Sequence, residues 1–436
     1  MNIQSIYQLY SISSGIEINS KRVKKGSIFV ALKGKNFDGN QFAYEAILNG
    51  AILAVVDNKK YALCKKIIFV YNTLCFLHEL AMYHRCRLHH IPIIAITGSN
   101  GKTTTKELIA TILSKKYNKV HYTKNNFNNH IGIPLTILSM PVDTQISVME
   151  IGANHEKEIE KMCYIIDPDY GYITNFGIAH LEGFKSVKGI IRSKLELYSF
   201  LRKKNKVVFI NGDDPIQLSN SIGMKRYIFS EKKKKPDINT DINIEYLWTK
   251  NSLKSILYVK NIKIVSSLVG DYNLYNIASS ITIGIYFKVS LKEIKEAVEE
   301  YVPNNYRSQI FIKKNTKILV DCYNANPTSM IKALAFFNNI QGNKITILGD
   351  MLELGLVSNN EHEKIISFII EKSNINIAFL IGNIFFNTKN TSHKIKKFMN
   401  KKNFVECIQK YSIQKMDYIL IKGSRKIGLE SLIDLI

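Results

Sequence analysis

Apolar residues in this chain come in short runs, each closed by glycine or a polar residue, with amphipathic stretches between them. Short closed runs rich in Ile and Val predict buried strands, and the stretches between them predict helices. Near the N-terminus, "GSIFVAL" (Gly26 to Leu32) and "AILAVVD" (Ala51 to Asp57) read as strands. "NQFAYEAILNGA" between them reads as a helix stopped by Gly50. From Ile91 the alternation becomes regular. "IPIIAIT", "TQISVMEIG", "YGYITNFG" and "KVVFING" read as strands of a mostly parallel sheet. Leu108, Ile109, Ile112 and Leu113 share one face of the helix that follows the first of them. A last series opens near Tyr306, with strands "TKILVDCY", "KITILGD", "INIAFLIG" and "DYILIKGS". Ligands of open parallel sheets bind beyond the C-terminal ends of the strands, so the polar residues closing each run are the ones to follow.

The pattern predicts an α/β protein of three domains. These are a small N-terminal α/β domain over about 1–90, a central domain with a phosphate-loop-type, mostly parallel sheet over about 91–304, and a C-terminal Rossmann-like domain over about 305–436. A length of 436 residues exceeds one ordinary core and suits that division.

Charge tests one functional class. A net charge of +24 suggests nucleic-acid binding, but only eight of the 60 basic residues are Arg. Arg is the side chain that reads guanine edges and grips phosphate with two hydrogen bonds. Lys, Asn and Ile share AT-rich codons, so the excess reads as compositional drift, with attraction for small anions as its functional side. "EKKKKP" (Glu231 to Pro236) reads as a solvated loop. The six cysteines form no CxxC pair, which argues against a disulfide framework or zinc site. No apolar run reaches the ~18 residues needed to span a bilayer, and no secretory signal is evident at the N-terminus. A reduced, cytoplasmic setting is expected.

The chemistry starts at "AITGSNGKTTTKE" (Ala95 to Glu107). A strand ends, Gly98, Ser99, Asn100 and Gly101 turn, and a helix opens with Lys102, Thr103 and Thr104. Glycines let backbone N–H groups approach phosphate, the helix N-terminus adds a positive dipole, and Lys102 adds a full charge. The Thr103 hydroxyl is placed for Mg²⁺. The common phosphate loop has four residues between its first glycine and Gly-Lys, and this one has two.

That shortened loop resembles the Mur ligase family, which builds the peptide of bacterial cell-wall precursors. The resemblance extends over nearly the whole chain: "NSKRVKKGSIFVALKGKNFDG", "TKNNFNNHIGIPLT", "MEIGANHEKEI", "ITNFGIAHLEGF", "KLEL", "DCYNANPTSM", "ILGDMLELG" and "LIKGSR". Tyr-Asn-Ala-Asn-Pro (Tyr323 to Pro327) resembles the mark of the member that adds the final dipeptide. Departures are Asn19-Ser20-Lys21 for Asp-Ser-Arg, Tyr272 for the His of Gly-x-His-Asn, and Lys157 and Lys426 for glycines.

The resemblance implies ATP-driven joining of D-alanyl-D-alanine to UDP-N-acetylmuramoyl-tripeptide through an acyl phosphate, with Mg²⁺, by a monomer that binds neither nucleic acid nor membrane. ATP would lie on Gly98 to Thr104, with Asn273, Asn276, Arg307 and Asp321 around the adenosine and phosphates. Lys102, His180 and Lys194 would serve catalysis. Thr103 and Glu150 would hold one metal, and His180 a second, together with Lys194 if carbamylated. Ser20, Thr123 and Asn126 would meet the uridine nucleotide, and Asn324 and Asn326 the dipeptide or the closed site. Taken alone, Glu150 also reads as a capping carboxylate, His180 as structural, and Lys194 as one of many exposed lysines. Other readings are a single-amino-acid ligase of the same family, folylpolyglutamate synthase, an ATP-dependent nucleic-acid-binding protein, or an inactive chain.

Overall fold

In the first ninety residues the apolar runs form a four-stranded parallel sheet. Its strands are Ile16–Glu17, Ile28–Val30, Leu53–Val56 and Ile67–Phe69, paired in that order. The helix predicted after the second strand is shorter than expected: Gly39–Phe42 is a tight turn of 3₁₀ type and only Ala43–Leu48 is α-helical. Asn40 explains this. It is fully buried, and its Nδ2 donates to Asp38 Oδ1 at 2.6 Å and Asp57 Oδ1 at 2.8 Å. Its Oδ1 accepts from the Asp57 backbone at 3.0 Å. The structure, a computed structural model, describes residues 2–34, 36–231, 240–247, 253–408, 411 and 413–436. The Lys-rich stretch after Glu231 lies outside them.

The chain divides into two compact units. The first joins Met1–Ala95 with Tyr117–Ala153 and Lys157–Tyr170. Arg85, 4% exposed, ties its parts. The guanidinium donates to the backbone oxygens of Ile166 at 2.8 Å, Leu88 at 2.6 Å, Ile91 at 3.1 Å and Asp167 at 3.0 Å, and reaches Asp169 Oδ2 at 3.3 Å. Carbonyls that helix ends leave orphaned are thereby satisfied. Within the same unit, strands Val120–Tyr122 and Ile146–Glu150 run parallel.

The second unit joins Ile96–Lys116, Asn154–Glu156 and Gly171–Ile436. Val207–Asn211, Lys225–Glu231 and Ile242–Leu247 are parallel neighbours, extended by the antiparallel strands Ser255–Val259 and Ile262–Ser266. The C-terminal sheet has the order Gln309–Lys313, Thr316–Asp321, Tyr418–Lys422, Lys344–Gly349, Ile377–Ile381, Ile395–Phe398, with only the first pair antiparallel. Its strands feed two cores. Leu319, Leu348, Leu380 and Leu420 pack with helices Pro327–Asn338 and Ser358–Lys372. Ile318, Val320, Ile345, Ile347, Ile419 and Ile421 pack with Phe404, Ile408, Leu429 and Leu432. Successive residues of a strand point to opposite faces, so helices cover both sides, as in a doubly wound fold.

The first unit holds three histidines in surroundings that disfavour their charge. Burial lowers His78 and His84 and brings His121 to about 4. The His84 Nε2 donates to the Met140 carbonyl at 3.1 Å, so its Nδ1 accepts from the Tyr7 hydroxyl at 3.0 Å and the ring is neutral. Between the ordinary value near 6.5 and these lowered values the unfolded chain binds more protons than the folded one. The stability is therefore complete above pH 6.5 and declines as pH falls toward 4. Thermal unfolding should show a lower midpoint at pH 5 than at pH 7.5, and His121→Gln should narrow that gap. An unchanged gap in the variant would remove His121 from the account.

Candidate active site

Strand Ile93–Thr97 is buried throughout, and helix Lys102–Leu113 starts five residues after it ends. The turn between them needs its glycines. Gly98 has φ 141°, and a Cβ there would lie 2.0 Å from Thr174 Oγ1. Gly101 has φ 82°, and a Cβ there would lie 2.3 Å from Asn276 Oδ1. Thr174 and Asn175, which close strand Tyr170–Ile173, lace the turn. Thr174 Oγ1 and Asn175 Nδ2 donate to the Asn100 carbonyl at 2.6 and 3.0 Å, and Ser99 N donates to the Asn175 carbonyl at 3.0 Å. The Asn100 N–H reaches Asn175 Oδ1 at 3.3 Å. Sequence reasoning passed over both residues, although they are the polar pair closing a strand run.

Lys102 Nζ folds back to donate to the carbonyls of Gly98 at 2.7 Å and Ser99 at 3.3 Å. Ser99 Oγ and Asn100 Nδ2 are buried without a hydrogen-bond partner among the described residues. A buried donor without a partner is costly and marks a place for one. Thr103 and Thr104, each 8% exposed, occupy the first helical turn. Such a turn, with its lysine, orphan donors and helix N-terminus, receives a polyphosphate.

A chain of polar contacts leads away from this turn. Thr105 Oγ1 donates to Asn276 Oδ1 at 3.3 Å, and Asn276 Nδ2 donates to Asn273 Oδ1 at 2.9 Å. Asn273 Nδ2 donates to the Val269 carbonyl at 2.7 Å and to Ser308 Oγ at 3.2 Å. The Ser308 N–H reaches Asp321 Oδ1 at 3.3 Å, and Asp321 Oδ2 pairs with the buried Lys422 Nζ at 2.5 Å. The structure thus places Asn273 and Asn276 in a buried amide ladder beside Gly101, and Asp321 in an ion pair. Arg307 stacks on the Tyr323 ring, 3.4 Å from its centroid.

The Tyr323–Pro327 motif meets the turn directly. Asn326 caps helix Pro327–Asn338, accepting from Ser329 N at 2.9 Å, and its Nδ2 donates to Asn100 Oδ1 at 2.7 Å. Asn324 is exposed, and its side chain accepts from Ala325 N at 2.9 Å. Thr328 Oγ1 accepts from Ile178 N at 2.8 Å.

His180 sits at φ 52°, and its Nδ1 pairs with Glu353 Oε2 at 2.5 Å. That contact with His180 holds the Glu353 carboxyl below its ordinary value. The imidazole Nε2 has no partner among the described residues. Carboxylate-supported histidines are common metal ligands, and Glu353 is a partner that sequence reasoning missed. Lys194 is no surface lysine: it is 2% exposed on helix Val187–Lys203, with Nζ 5.1 Å from the Phe184 ring centroid.

In the first unit, Glu150 ends its strand 2% exposed. Asn128 Nδ2 donates to Oε1 at 2.7 Å, and the Glu150 N–H donates to Thr123 Oγ1 at 2.9 Å. Thr123 is fully buried and holds that strand end, whereas Asn126 is exposed. Ser20 is buried at the start of a short 3₁₀ turn capped by Asn19. Among the described residues no three His, Cys, Asp or Glu side chains gather to hold a metal.

Family comparisons match the Mur ligase family, catalytic domain over residues 13–85, the Mur ligase middle domain over 96–284 and the Mur ligase, glutamate ligase domain over 306–425. The chain belongs to the Mur ligase family. Among curated Mur ligases it is similar to the UDP-N-acetylmuramoyl-tripeptide–D-alanyl-D-alanine ligase of Bacillus subtilis, at 31% identity over 97% of this chain and 93% of that one. The enzyme of the same name from Buchnera aphidicola subsp. Baizongia pistaciae is 34% identical over 98% and 93% of the two chains. The crystal structure of MurF ligase from Thermotoga maritima in complex with ADP superposes with a TM-score of 0.84 at 26% identity, covering 98% of this chain and 97% of that one. The three Mur ligase domains follow one another in the order that the sequence pattern predicts.

Asn326→Asp separates the two duties of that residue. The cap survives, so the unfolding midpoint should hold within a few degrees, whereas an alanine forfeits roughly 0.5–2 kcal/mol. The donor to Asn100 is lost in both, and nucleotide binding measured by calorimetry should weaken in both. Full nucleotide affinity in Asn326→Asp would show that the turn does not depend on this contact.

Proposed function

We propose that this Mur ligase joins D-alanyl-D-alanine to UDP-N-acetylmuramoyl-tripeptide at the expense of ATP, giving UDP-N-acetylmuramoyl-pentapeptide, ADP and phosphate for peptidoglycan synthesis. The observation that carries the reading is the contact of the Tyr323–Pro327 motif with the phosphate turn through Asn326 and Asn100. Full-length similarity to ligases of that name supports it. No helix among the described residues is long and apolar enough to cross a membrane. We place the domains at 1–90, 91–304 and 305–436, and the enzyme in the cytoplasm as a monomer.

A carboxylate is a poor electrophile and must first be phosphorylated. The difficulty is electrostatic, because two anions have to meet in line. In this reading Lys102 leaves the carbonyls of Gly98 and Ser99 for the phosphates of ATP. The Ser99 hydroxyl and the Asn100 Nδ2, both without partners among the described residues, complete the cradle. Asn273 and Asn276 hold the helix end on which it rests, and Arg307 and Asp321 flank the nucleotide. Ser20, Thr123 and Asn126 serve the uridine-nucleotide side, and Asn324 and Asn326 the dipeptide side.

The donor chemistry suits Mg²⁺: hard hydroxyl and carboxylate oxygens from Thr103 and Glu150, and a carboxylate-backed imidazole at His180. Mg²⁺ keeps waters and phosphate oxygens and needs few protein ligands, so the lack of a three-residue cluster among the described residues fits it. When bound it would neutralise phosphate charge during transfer. Lys194, buried beside Phe184, would offer a further oxygen donor if carbamylated.

ADP release should require Mg²⁺-ATP, UDP-N-acetylmuramoyl-tripeptide and D-alanyl-D-alanine together, and omission of any one should abolish it. Replacement of the dipeptide by a single amino acid with equal turnover would assign a different family activity. Lys194→Ala should lower turnover by on the order of 100-fold, with partial recovery on adding short carboxylic acids. Full activity of that variant without CO₂ would eliminate the carbamate.

A further inference from the structure

We infer that Arg425, braced against Tyr323, receives the free carboxylate of the incoming dipeptide. The inference rests on the ligase reading above. It starts from the topology of the C-terminal sheet. Strands Thr316–Asp321 and Tyr418–Lys422 are parallel neighbours, with Asp321 opposite Lys422. The chain leaving the first enters helix Pro327–Asn338, which packs on the Leu319 side of the sheet. The chain leaving the second enters Leu429–Leu435, which packs on the Ile318 side. Adjacent strands whose continuations part to opposite faces open a crevice at their C-terminal ends, the usual ligand position in such sheets.

Tyr323 and Arg425 stand two and three residues beyond these strand ends, at the mouth of the crevice. Two guanidinium groups meet the Tyr323 ring: Arg307 lies 3.4 Å and Arg425 4.8 Å from its centroid. Neither has a carboxylate partner among the described residues, and Arg307 Nε is buried without any hydrogen-bond partner. The lysine of the crevice, Lys422, is already matched by Asp321 at 2.5 Å. Cations drawn to one ring without a counter-anion make a receptor for an anion, and a guanidinium fork fits a carboxylate in two-point fashion.

The reaction supplies few candidates. ATP phosphates have the turn at Gly98–Thr104, with its own lysine and helix N-terminus. The acceptor carboxylate must reach the γ-phosphate there. Among the remaining anions, which include the uridine diphosphate and the other carboxylates of the tripeptide, the one that enters with the nucleophile is the C-terminal carboxylate of the dipeptide, whose amine has to face the activated acyl group. Asn326 joins the Tyr323 turn to Asn100 of the phosphate turn. Arg425 meets this turn at Tyr323, three residues before Asn326, so an anchor there lies on the segment that joins the phosphate turn. Arg425 is exposed and Arg307 half-buried, so Arg425 is the member open to a ligand from solvent.

The test compares wild type, Arg425→Met and Arg425→Lys with D-alanyl-D-alanine and with D-alanyl-D-alaninamide, which lacks the charge. Arg425→Met should raise KM for the dipeptide about 10- to 100-fold, with kcat at saturation and KM for ATP and UDP-N-acetylmuramoyl-tripeptide within about two-fold. Arg425→Lys should fall between. The amide should be poor for wild type and no poorer for Arg425→Met. A raised KM for ATP with the dipeptide KM unchanged would overturn the assignment in favour of a nucleotide contact. An equal loss with dipeptide and amide would overturn it in favour of a structural role. If wild type shows no dipeptide-dependent ADP release at all, the ligase reading itself falls, and this one with it.

Discussion

Asn100 is the residue on which the second unit turns. Its carbonyl takes two hydrogen bonds from Thr174 and Asn175, its N–H gives one to Asn175, and its side-chain oxygen accepts from Asn326. A loop between a strand and a helix is ordinarily free to adjust. Here the pairing of one peptide group and one amide fixes where the helix begins, how close Gly98 approaches Thr174, and where the Tyr323–Pro327 turn lies. Such networks are worth more complete than broken, because each buried partner left over is costly. The amide atom that has no partner among the described residues, Nδ2, then asks for a ligand, together with the Ser99 hydroxyl beside it.

The amide ladder Thr105, Asn276, Asn273, Ser308 and Asp321 extends that logic. It runs from the helix behind the phosphate turn to the sheet that carries Tyr323 and Arg425. Binding at either end meets a structure whose polar atoms are already matched along the way. Positions on the two ends are therefore set by hydrogen-bond geometry as well as by apolar packing, which tolerates small slides.

Much of this was legible in the sequence. The period and length of the apolar runs gave strands and helices in the right order, and Gly98-Ser99-Asn100-Gly101-Lys102 stood out because few other turns need that combination. Lys194 was visible only through its neighbours "SKLEL", since nothing in a lysine-rich chain reveals which lysine is buried. Glu353, Thr174 and Asn175 were not legible as partners. They come from distant parts of the chain, and pairing across such distances depends on topology that local pattern does not encode. The helix predicted from Asn40 to Gly50 was overestimated for a related reason: Asn40 prefers Asp38 and Asp57 to helical hydrogen bonds, and Asp57 lies beyond the next strand. Asx side chains compete with helix in this way.

The two cores of the C-terminal sheet carry a consequence for alignment of its strands. Both faces are apolar, so the usual alternation of polar and apolar residues cannot tell a strand which way to face. Side-chain shape takes over. Leu319, Leu348, Leu380 and Leu420 form one layer, while β-branched Ile and Val dominate the other. A slip of one residue would exchange the layers and set stiff β-branched side chains where flexible γ-branched ones fit. Register in this sheet is thus written in the distinction between leucine and isoleucine. For that reason exchanges between these isomers, neutral in hydrophobicity and volume, are not equivalent along these strands.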